Sequence, residues 1–538
     1  MKRIFFVATF IILHLAGTSQ EAKITPVTKK AMEAIDTAEY KAHIVYLADD
    51  ALRGRAPGTE GYRMAVDYVV EEFKKMGVVP AGDDGGFTHK FNIRKSTLEA
   101  GSAKMLLSDN SGNTDSLFRT DLIVSPHPLK SSVDISNAPL VFAGYGVDIP
   151  GKHSDYQNID VKGKIVVVLR TTPEGLSSTY GAHFGNVGYK MALARSKGAI
   201  GLIVASPVPQ VLPPSTGTLS NAMNPAKTEA YGSRYIGDVD VFITGSYNFL
   251  RSLFLNSGKN FDEVVAALKS GKTQSFEFGK KLSVQFKTKH IDIETWNVVG
   301  MIPGTDPVLK NEYVVHTAHL DHVGVGRPVD GDSIYNGAHD NASGVASLLE
   351  IARLYKNSGV KPKRSILITM VSGEESGLLG SAYFASNPSI PKSAIVANVN
   401  TDMPTIIAPM LSIVPLGATH STMMKHVKFA ANTLKLDIED DPEPEQNFFV
   451  RSDQYSFVRQ HIPAVNCKYG NKTNVPGFDL REYVKQWRAK YYHKPQDQLD
   501  GGIFLYSAAQ TYIQLNFLIS YSVSMDKERP KWNEGELF

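Results

Sequence analysis

Short apolar runs recur along the second half of the chain, and each stops at a polar cluster. Tyr313 to Val315 lead through His316 and Thr317 to His319, Leu320 and Asp321; Ser365 to Val371 lead to Glu374 and Glu375; Ala394 to Val399 lead to Asp402. Rich in Val and Ile and without strict alternation, these runs predict strands buried on both faces of a parallel-type sheet. Ligand sites of such sheets lie outside the carboxyl ends of the strands, so the three ends are expected to face one place. Val298 to Ile302 and Ala464 to Lys468 predict further strands.

Helical spacing appears elsewhere. Met64, Ala65, Tyr68, Val69 and Phe73 predict a helix over Gly61 to Lys75, ended by Gly77. A second helix is expected from about Asn341, with Ala342, Val345, Leu348, Leu349, Ala352, Leu354 and Tyr355 as its buried face. Asp340 then falls at or just before its N-terminus, where negative charge is favoured. Ser507 to Ser524 predicts a third. Ahead of the first helix, Leu52 to Gly61 is dense in Gly and Arg and reads either as an active-site rim or as a tight turn with solvated arginines.

Between about residues 126 and 285 the texture becomes β-like. Pro139 to Tyr145, Lys164 to Leu169 and Ala199 to Val204 predict strands, Val187 to Lys197 a helix, and Pro207 to Thr218 a loop. No cluster of His, Cys or carboxylates converges here, and no Gly-rich phosphate loop follows a strand. The segment therefore reads as an inserted domain without chemistry of its own.

A length of 538 residues, 42% hydrophobic and 21% charged, suits a globular protein of two or three domains. With 57 basic against 54 acidic residues, the net charge of +3 gives no electrostatic case for nucleic acid. Met1-Lys2-Arg3, the apolar run Ile4 to Ala16 and Gly17-Thr18-Ser19 have the order of a secretory signal peptide, here residues 1–20. The run is short of the ~20 residues that span a bilayer. Export to the periplasm or the medium is expected, with no stable membrane insertion after the leader is removed. The lone Cys467 has no partner for an internal disulfide and reads as a buried strand residue.

The candidate chemistry lies in His319, Asp340, Glu375, Asp402 and, far downstream, His493. Two imidazoles and three carboxylates suit zinc, or cobalt or manganese, and no thiolate is offered. With one carboxylate bridging, five such ligands hold two ions with room for a water between them, a hydrolytic arrangement. Glu374 and Glu375 are adjacent, so their side chains diverge: one suits metal, the other the proton of the attacking water. Asp321, two residues after His319, is placed to accept the other ring N–H. Each residue alone has a plainer reading as core histidine, solvated turn or helix cap. Their conjunction on one rim is what favours a metal site.

The motifs His319-x-Asp321, Asp340-Asn341-Ala342-Ser343-Gly344, Glu374-Glu375-Ser376-Gly377-Leu378-Leu379-Gly380-Ser381, Asn400-Thr401-Asp402-Met403 and Tyr492-His493-x-Pro495 together resemble the di-zinc aminopeptidase family, which also includes glutamate carboxypeptidase, the transferrin receptor ectodomain and glutaminyl cyclases. Arg55 to Gly61, and Arg451-Ser452-Asp453 with Phe457, also look like family features. Ala138 to Gly146 and Lys162 to Val166 resemble a protease-associated domain. The resemblance implies an α/β, three-layer zinc-exopeptidase fold, with a central mixed, mostly parallel sheet between helices and an inserted β-rich protease-associated domain. The expected division is 21–125 and 286–538 for the catalytic domain and 126–285 for the insertion.

By the same resemblance, Asp340 bridges two zinc ions, with His319 and Asp402 on one and Glu375 and His493 on the other. Glu374 is implied as the general base, Asp321 as the partner behind His319, and Tyr492 as an oxyanion stabiliser. His339 and Gln454 depart from the usual residues at their positions. The activity implied is that of an exported exopeptidase acting on peptides, foremost an aminopeptidase. A carboxypeptidase using Arg451 or Arg327, a glutaminyl cyclase, and a non-catalytic receptor-like protein are the alternatives.

Overall fold

The computed structural model describes residues 22–109, 112, 114–116, 121–212, 217–233, 239–404, 406–499 and 504–538. The expected leader at residues 1–20 lies outside them, as does 213–216 of the expected loop. Helices α1 (Pro26–Glu33), α2 (Thr37–Leu47) and α3 (Glu60–Met76) come first. Of the predicted apolar positions of α3, Ala65, Val69 and Phe73 are buried, while Met64 and Tyr68 are half-buried against the same core, which Val66 also joins. The Thr59 side chain accepts the Tyr62 N–H at its start, and Gly77, at φ +67°, ends it.

Strand β1 (Thr88–Leu98) leads into a second body, whose parallel strands β2 (Ser132–Ala143), β3 (Ile165–Leu169), β4 (Gly201–Ala205) and β5 (Val241–Gly245) lie side by side in that order. Its helix α4 (Val187–Ser196) precedes β4 as predicted. The connection back is a single strand of 28 residues, β6 (Ser275–Ile302). Its first part pairs with β2 and its second part, Thr288 to Val298, with β1. The expected boundary at 285/286 thus falls inside one continuous strand. Lys104–Asp109, read with the first catalytic segment, also pairs with β6 on the side of the second body, because its hydrogen-bond partners are Lys280 to Gln285.

The main sheet is completed by β7 (Tyr313–His319), helix α5 (Ser343–Asn357), β8 (Ser365–Val371), α6 (Leu379–Ser386), β9 (Ile395–Asn400), β10 (Ser412–Leu416), α7 (Gln454–Val458), β11 (Ala464–Tyr469), α8 (Leu480–Tyr491) and α9 (Tyr506–Met525). Pairing gives the order β1–β6–β8–β7–β9–β11–β10, with the contacts among β8, β7, β9 and β11 parallel and those to β6 and β10 antiparallel. Strand side chains alternate between two cores. Val314, Ile366, Ile368 and Val399 join the core under α3, α5 and α9, while Val315, Leu367 and Ile395 join the core on the opposite face with Phe384 of α6 and Phe457 of α7. Three layers result, and the central strands are apolar on both sides because neither face meets water. Cys467 on β11 is 1% exposed and unpaired, as expected.

Helix α5 starts at Ser343 and not at Asn341. A wide turn, Ala338–Ala342, precedes it, in which Asp340 (φ −109°, ψ 91°) and Asn341 (φ −132°, ψ 36°) leave helical geometry. Asp340 is therefore not a helix cap; its backbone is bent away from the helix toward the strand ends. Among the described residues, no helix is long and apolar enough to cross a membrane.

Candidate metal centre

Parallel pairing in register brings the three strand ends level. His319 is opposite Val371, and Thr317 is opposite Asn400, so the residues just beyond, Glu374, Glu375 and Asp402, emerge on one rim. Two crossing bonds hold the rim together: the Leu320 N–H donates to Val371 O (2.8 Å) and the Thr401 N–H to Thr317 O (2.8 Å). Asn341 stitches the Asp340 turn to the end of β9, donating through Nδ2 to Thr401 O (3.0 Å) and accepting the Met403 N–H at Oδ1 (3.1 Å).

The five expected ligands meet. Asp340 stands between the two histidines, with Oδ1 3.1 Å from His319 Nε2 and Oδ2 3.2 Å from His493 Nε2. Asp402 Oδ1 is 3.7 Å from His319 Nε2, and Glu375 Oε2 is 3.0 Å from His493 Nε2. Ligands about 2 Å from a shared tetrahedral ion lie roughly 3.3 Å apart; His319, Asp340 and Asp402 come close enough together to hold a metal ion, and on the other side of Asp340 so do Asp340, Glu375 and His322. His319, Asp340 and Asp402 are all at least nine-tenths buried.

The electrostatics argue the same way. Burial opposes charge on His319, yet Asp340 and Asp402 raise its pKa well above the imidazole range. His493 is likewise raised to about 10 by Asp340 and Glu375, against burial. Asp340 is held well below the carboxylate range: burial works against this, and its bonds to His319 and His493 prevail. Glu374 goes the other way, pushed well above its ordinary value by burial and by Glu375 and Asp402, though His319 opposes this. A buried ring of acids that turns its imidazoles into strong bases lacks positive charge, which is what a divalent cation supplies as it displaces those protons.

Asp321 is fully buried, but its carboxylate does not take the His319 ring N–H. His319 Nδ1 instead faces the main-chain oxygen of Asp321 (3.1 Å), while Asp321 Oδ1 accepts the Glu374 N–H (3.2 Å). At the end of β7 the chain has already turned, so the carbonyl reaches the ring first. Asp321 thus supports Glu374 more directly than His319, and burial raises its pKa to about 6. Tyr492 lines the cleft, stacks on the His493 ring at 3.8 Å and accepts at its hydroxyl from Arg451 Nη2 (3.4 Å). Gln454 is fully buried, donating to Phe449 O (2.8 Å), and so is not on the cleft wall.

Residues 297–511 match the family described as peptidase family M28. This stretch of the chain is similar to that family and contains all five expected ligands. Residues 136–236 match the PA domain. Among curated relatives, leupeptin-inactivating enzyme 1 of Streptomyces exfoliatus is 33% identical over 109 residues, 20% of this chain and 22% of that protein. Aminopeptidase NAALADL1 of Mus musculus is 33% identical over 135 residues, 24% of this chain and 16% of that protein, and carboxypeptidase Q of Xenopus laevis is 29% identical over 109 residues, 20% and 21%. The matched stretch thus spans about a fifth of the length of these relatives. A solved aminopeptidase from Aneurinibacillus sp. strain AM-1 superposes with a TM-score of 0.49 at 18% identity, covering 93% of this chain and 97% of that one.

His322, Arg55, Asp453 and Lys468 stand around the centre with contacts that the sequence reading does not give. His322 Nδ1 lies 2.7 Å from Glu375 Oε1, and its other ring nitrogen is buried with no hydrogen-bond partner among the described residues. Its place directly after Asp321 was the available signal. Arg55 is 1% exposed, so neither an active-site rim nor a solvated turn describes it. Its guanidinium donates to the carbonyls of Leu320 (2.9 Å), Asn336 (2.7 Å), Gly337 (3.2 Å) and Leu47. Among the described residues the two buried carboxylate oxygens of Asp453 have no hydrogen-bond partner, and burial lifts its pKa to about 7. Lys468 donates to Asp402 O (2.7 Å), and its charge, together with His319, keeps the Asp402 carboxyl below its usual range against burial.

Proposed function

We propose that this chain is a di-zinc exopeptidase that removes the first residue of peptides. The observation carrying the reading is Asp340, which offers one carboxylate oxygen to each of two separate histidines. His319, Asp340 and Asp402 would hold one zinc, and Asp340, Glu375 and His493 the other. Zinc bound there supplies a Lewis acid that polarises the scissile carbonyl and makes water more acidic.

The side chains do the rest. Glu374, on the cleft wall and supported through its backbone by Asp321, takes the proton of the attacking water and returns it to the leaving amine. Tyr492 donates its O–H to the carbonyl oxygen as negative charge gathers there, with Arg451 close behind it. The similarity to aminopeptidase NAALADL1 favours the amino end of the peptide. The cleft holds about 560 Å³, and an apolar side pocket of about 70 Å³ adjoins it, lined by Met403, Ile406, Ile407, Phe448, Val484 and Trp487. That size and lining suit a medium aliphatic first residue.

A carboxypeptidase is the second reading, favoured by Arg451 on the same wall, where a substrate carboxylate would find it. Export through the leader at residues 1–20 is part of the proposal and is checked by fractionating the producing cell. The deciding experiment combines metal analysis with leucyl and methionyl amides, their N-acetylated forms, and peptides with free or amidated C-termini. Two zinc ions and cleavage restricted to free N-termini support the aminopeptidase. Cleavage that needs a free C-terminus transfers the reading to a carboxypeptidase, and absence of bound metal removes both.

A further inference from the structure

The wide turn that carries Asp340 closes on itself only through the Ala342 and Ser343 N–H groups, which donate to Gly337 O and Ala338 O, so the amides of Ala338, His339 and Asp340 need an outside acceptor. One residue answers three of them. The main-chain oxygen of Asp497 accepts the Ala338 N–H (3.0 Å), Oδ1 accepts the His339 N–H (2.9 Å), and Oδ2 accepts the Asp340 N–H (3.0 Å). Oδ1 also lies 3.0 Å from His339 Nδ1. On the other side of the same turn, Arg55 takes the carbonyls of Asn336 and Gly337. Amides on one flank and carbonyls on the other are thus gripped by two buried, oppositely charged side chains, each 1% exposed.

We propose that Asp497, opposed by Arg55, is a positioning residue that sets the orientation of the Asp340 carboxylate between His319 and His493. Asp497 lies four residues after His493, so the segment bringing one metal-holding group also fixes the angle of the group shared by both. A carboxylate is required because the two side-chain oxygens must accept several donors at once. An amide of the same shape turns one acceptor into a donor facing an N–H. Packing gives the turn no alternative course: a methyl group at Gly337 would come within 2.1 Å of Asp340 O and 2.6 Å of the His322 ring. Because Asp340 serves both sides, misplacing it weakens two ions together. Loss of His493 weakens one.

This inference rests on the reading of Asp340 as a shared metal-holding carboxylate, and the test reads zinc affinity and stoichiometry, not turnover. Full-length protein stripped of metal is titrated with zinc against a chromophoric chelator for the parent, Asp497→Asn, Asp497→Glu and His493→Ala. The Asn variant is expected to bind both ions about 10 to 100-fold more weakly. His493→Ala is expected to keep one ion near parental affinity. Asp497→Glu keeps the charge but moves the carboxylate by one methylene, so it is expected to lose affinity as well; this variant carries the test if the Asn protein fails to fold. Parental affinity in a folded Asn or Glu variant, or loss of only one ion, overturns the positioning role and leaves the peptidase reading intact. A parent that binds no zinc overturns both.

Discussion

Glu374→Gln isolates the proton-transfer step. Gln matches Glu in volume and, among the described residues, the Glu374 carboxylate makes no hydrogen bond; the contact to Asp321 runs through the backbone N–H, which the substitution keeps. The four distances that define the two metal-holding sets, between 3.0 and 3.7 Å, involve His319, Asp340, Asp402, Glu375 and His493 and leave Glu374 out. The variant should therefore fold and hold zinc as the parent does. What it loses is a base positioned on the cleft wall. Such groups contribute about 10² to 10⁴ in rate, or roughly 3 to 5 kcal/mol of barrier. The assay is kcat and KM on a leucyl chromogenic amide, with metal content measured on the same sample. The expected result is kcat down at least about a hundredfold, with KM changed little and two zinc ions retained. Turnover within tenfold of the parent at full metal content would show that another group moves the proton. Loss of one zinc would instead make Glu374 a ligand.

Three further outcomes follow from the geometry. Gly337→Ala forces a side chain into a left-handed position at φ +61° and against Asp340 O, and should cost about 2 to 5 kcal/mol in chemical denaturation while abolishing tight zinc binding. Stripping zinc with a chelator should lower the melting temperature by several degrees and re-addition restore it, since a ligand at ~100 times its Kd contributes about 2.7 kcal/mol; an unchanged melting curve would contradict a metal centre. Asp292, bridged by Arg94 Nε and Nη2 at 2.7 and 3.0 Å, is held at about 2, chiefly by that bond. A depressed carboxylate stabilises above its unfolded value near 4 and loses that contribution as pH falls through about 2. Asp292→Asn should cost about 1 kcal/mol at pH 7, after solvent screening, and the difference from the parent should vanish on acidification.

The strands of the main sheet were readable because burial on both faces leaves only apolar side chains along them, as with Ser365 to Val371, so pattern and structure coincide. The start of α5 was misplaced because Ala342 and its neighbours read as helical while the turn before them is bent by partners far away in sequence: Asp497 holds its amides and Arg55 its carbonyls. The extent of the second body was blurred for a related reason. Nothing in the residues of β6 marks where its partner changes from β2 to β1, because both halves satisfy the same ladder.

The residue types at the strand ends, and their order, determined by themselves where a candidate site for divalent cations lies, since His, Asp and Glu in that company have few other uses together. Which oxygen meets which nitrogen was left to tertiary structure. The Asp321 carboxylate turned to Glu374 and its carbonyl to His319, and the arginine that looked solvated became the buried counterpart of an aspartate more than four hundred residues away. Local sequence sets what each side chain can donate or accept. Only the packed chain sets the distances at which it does so.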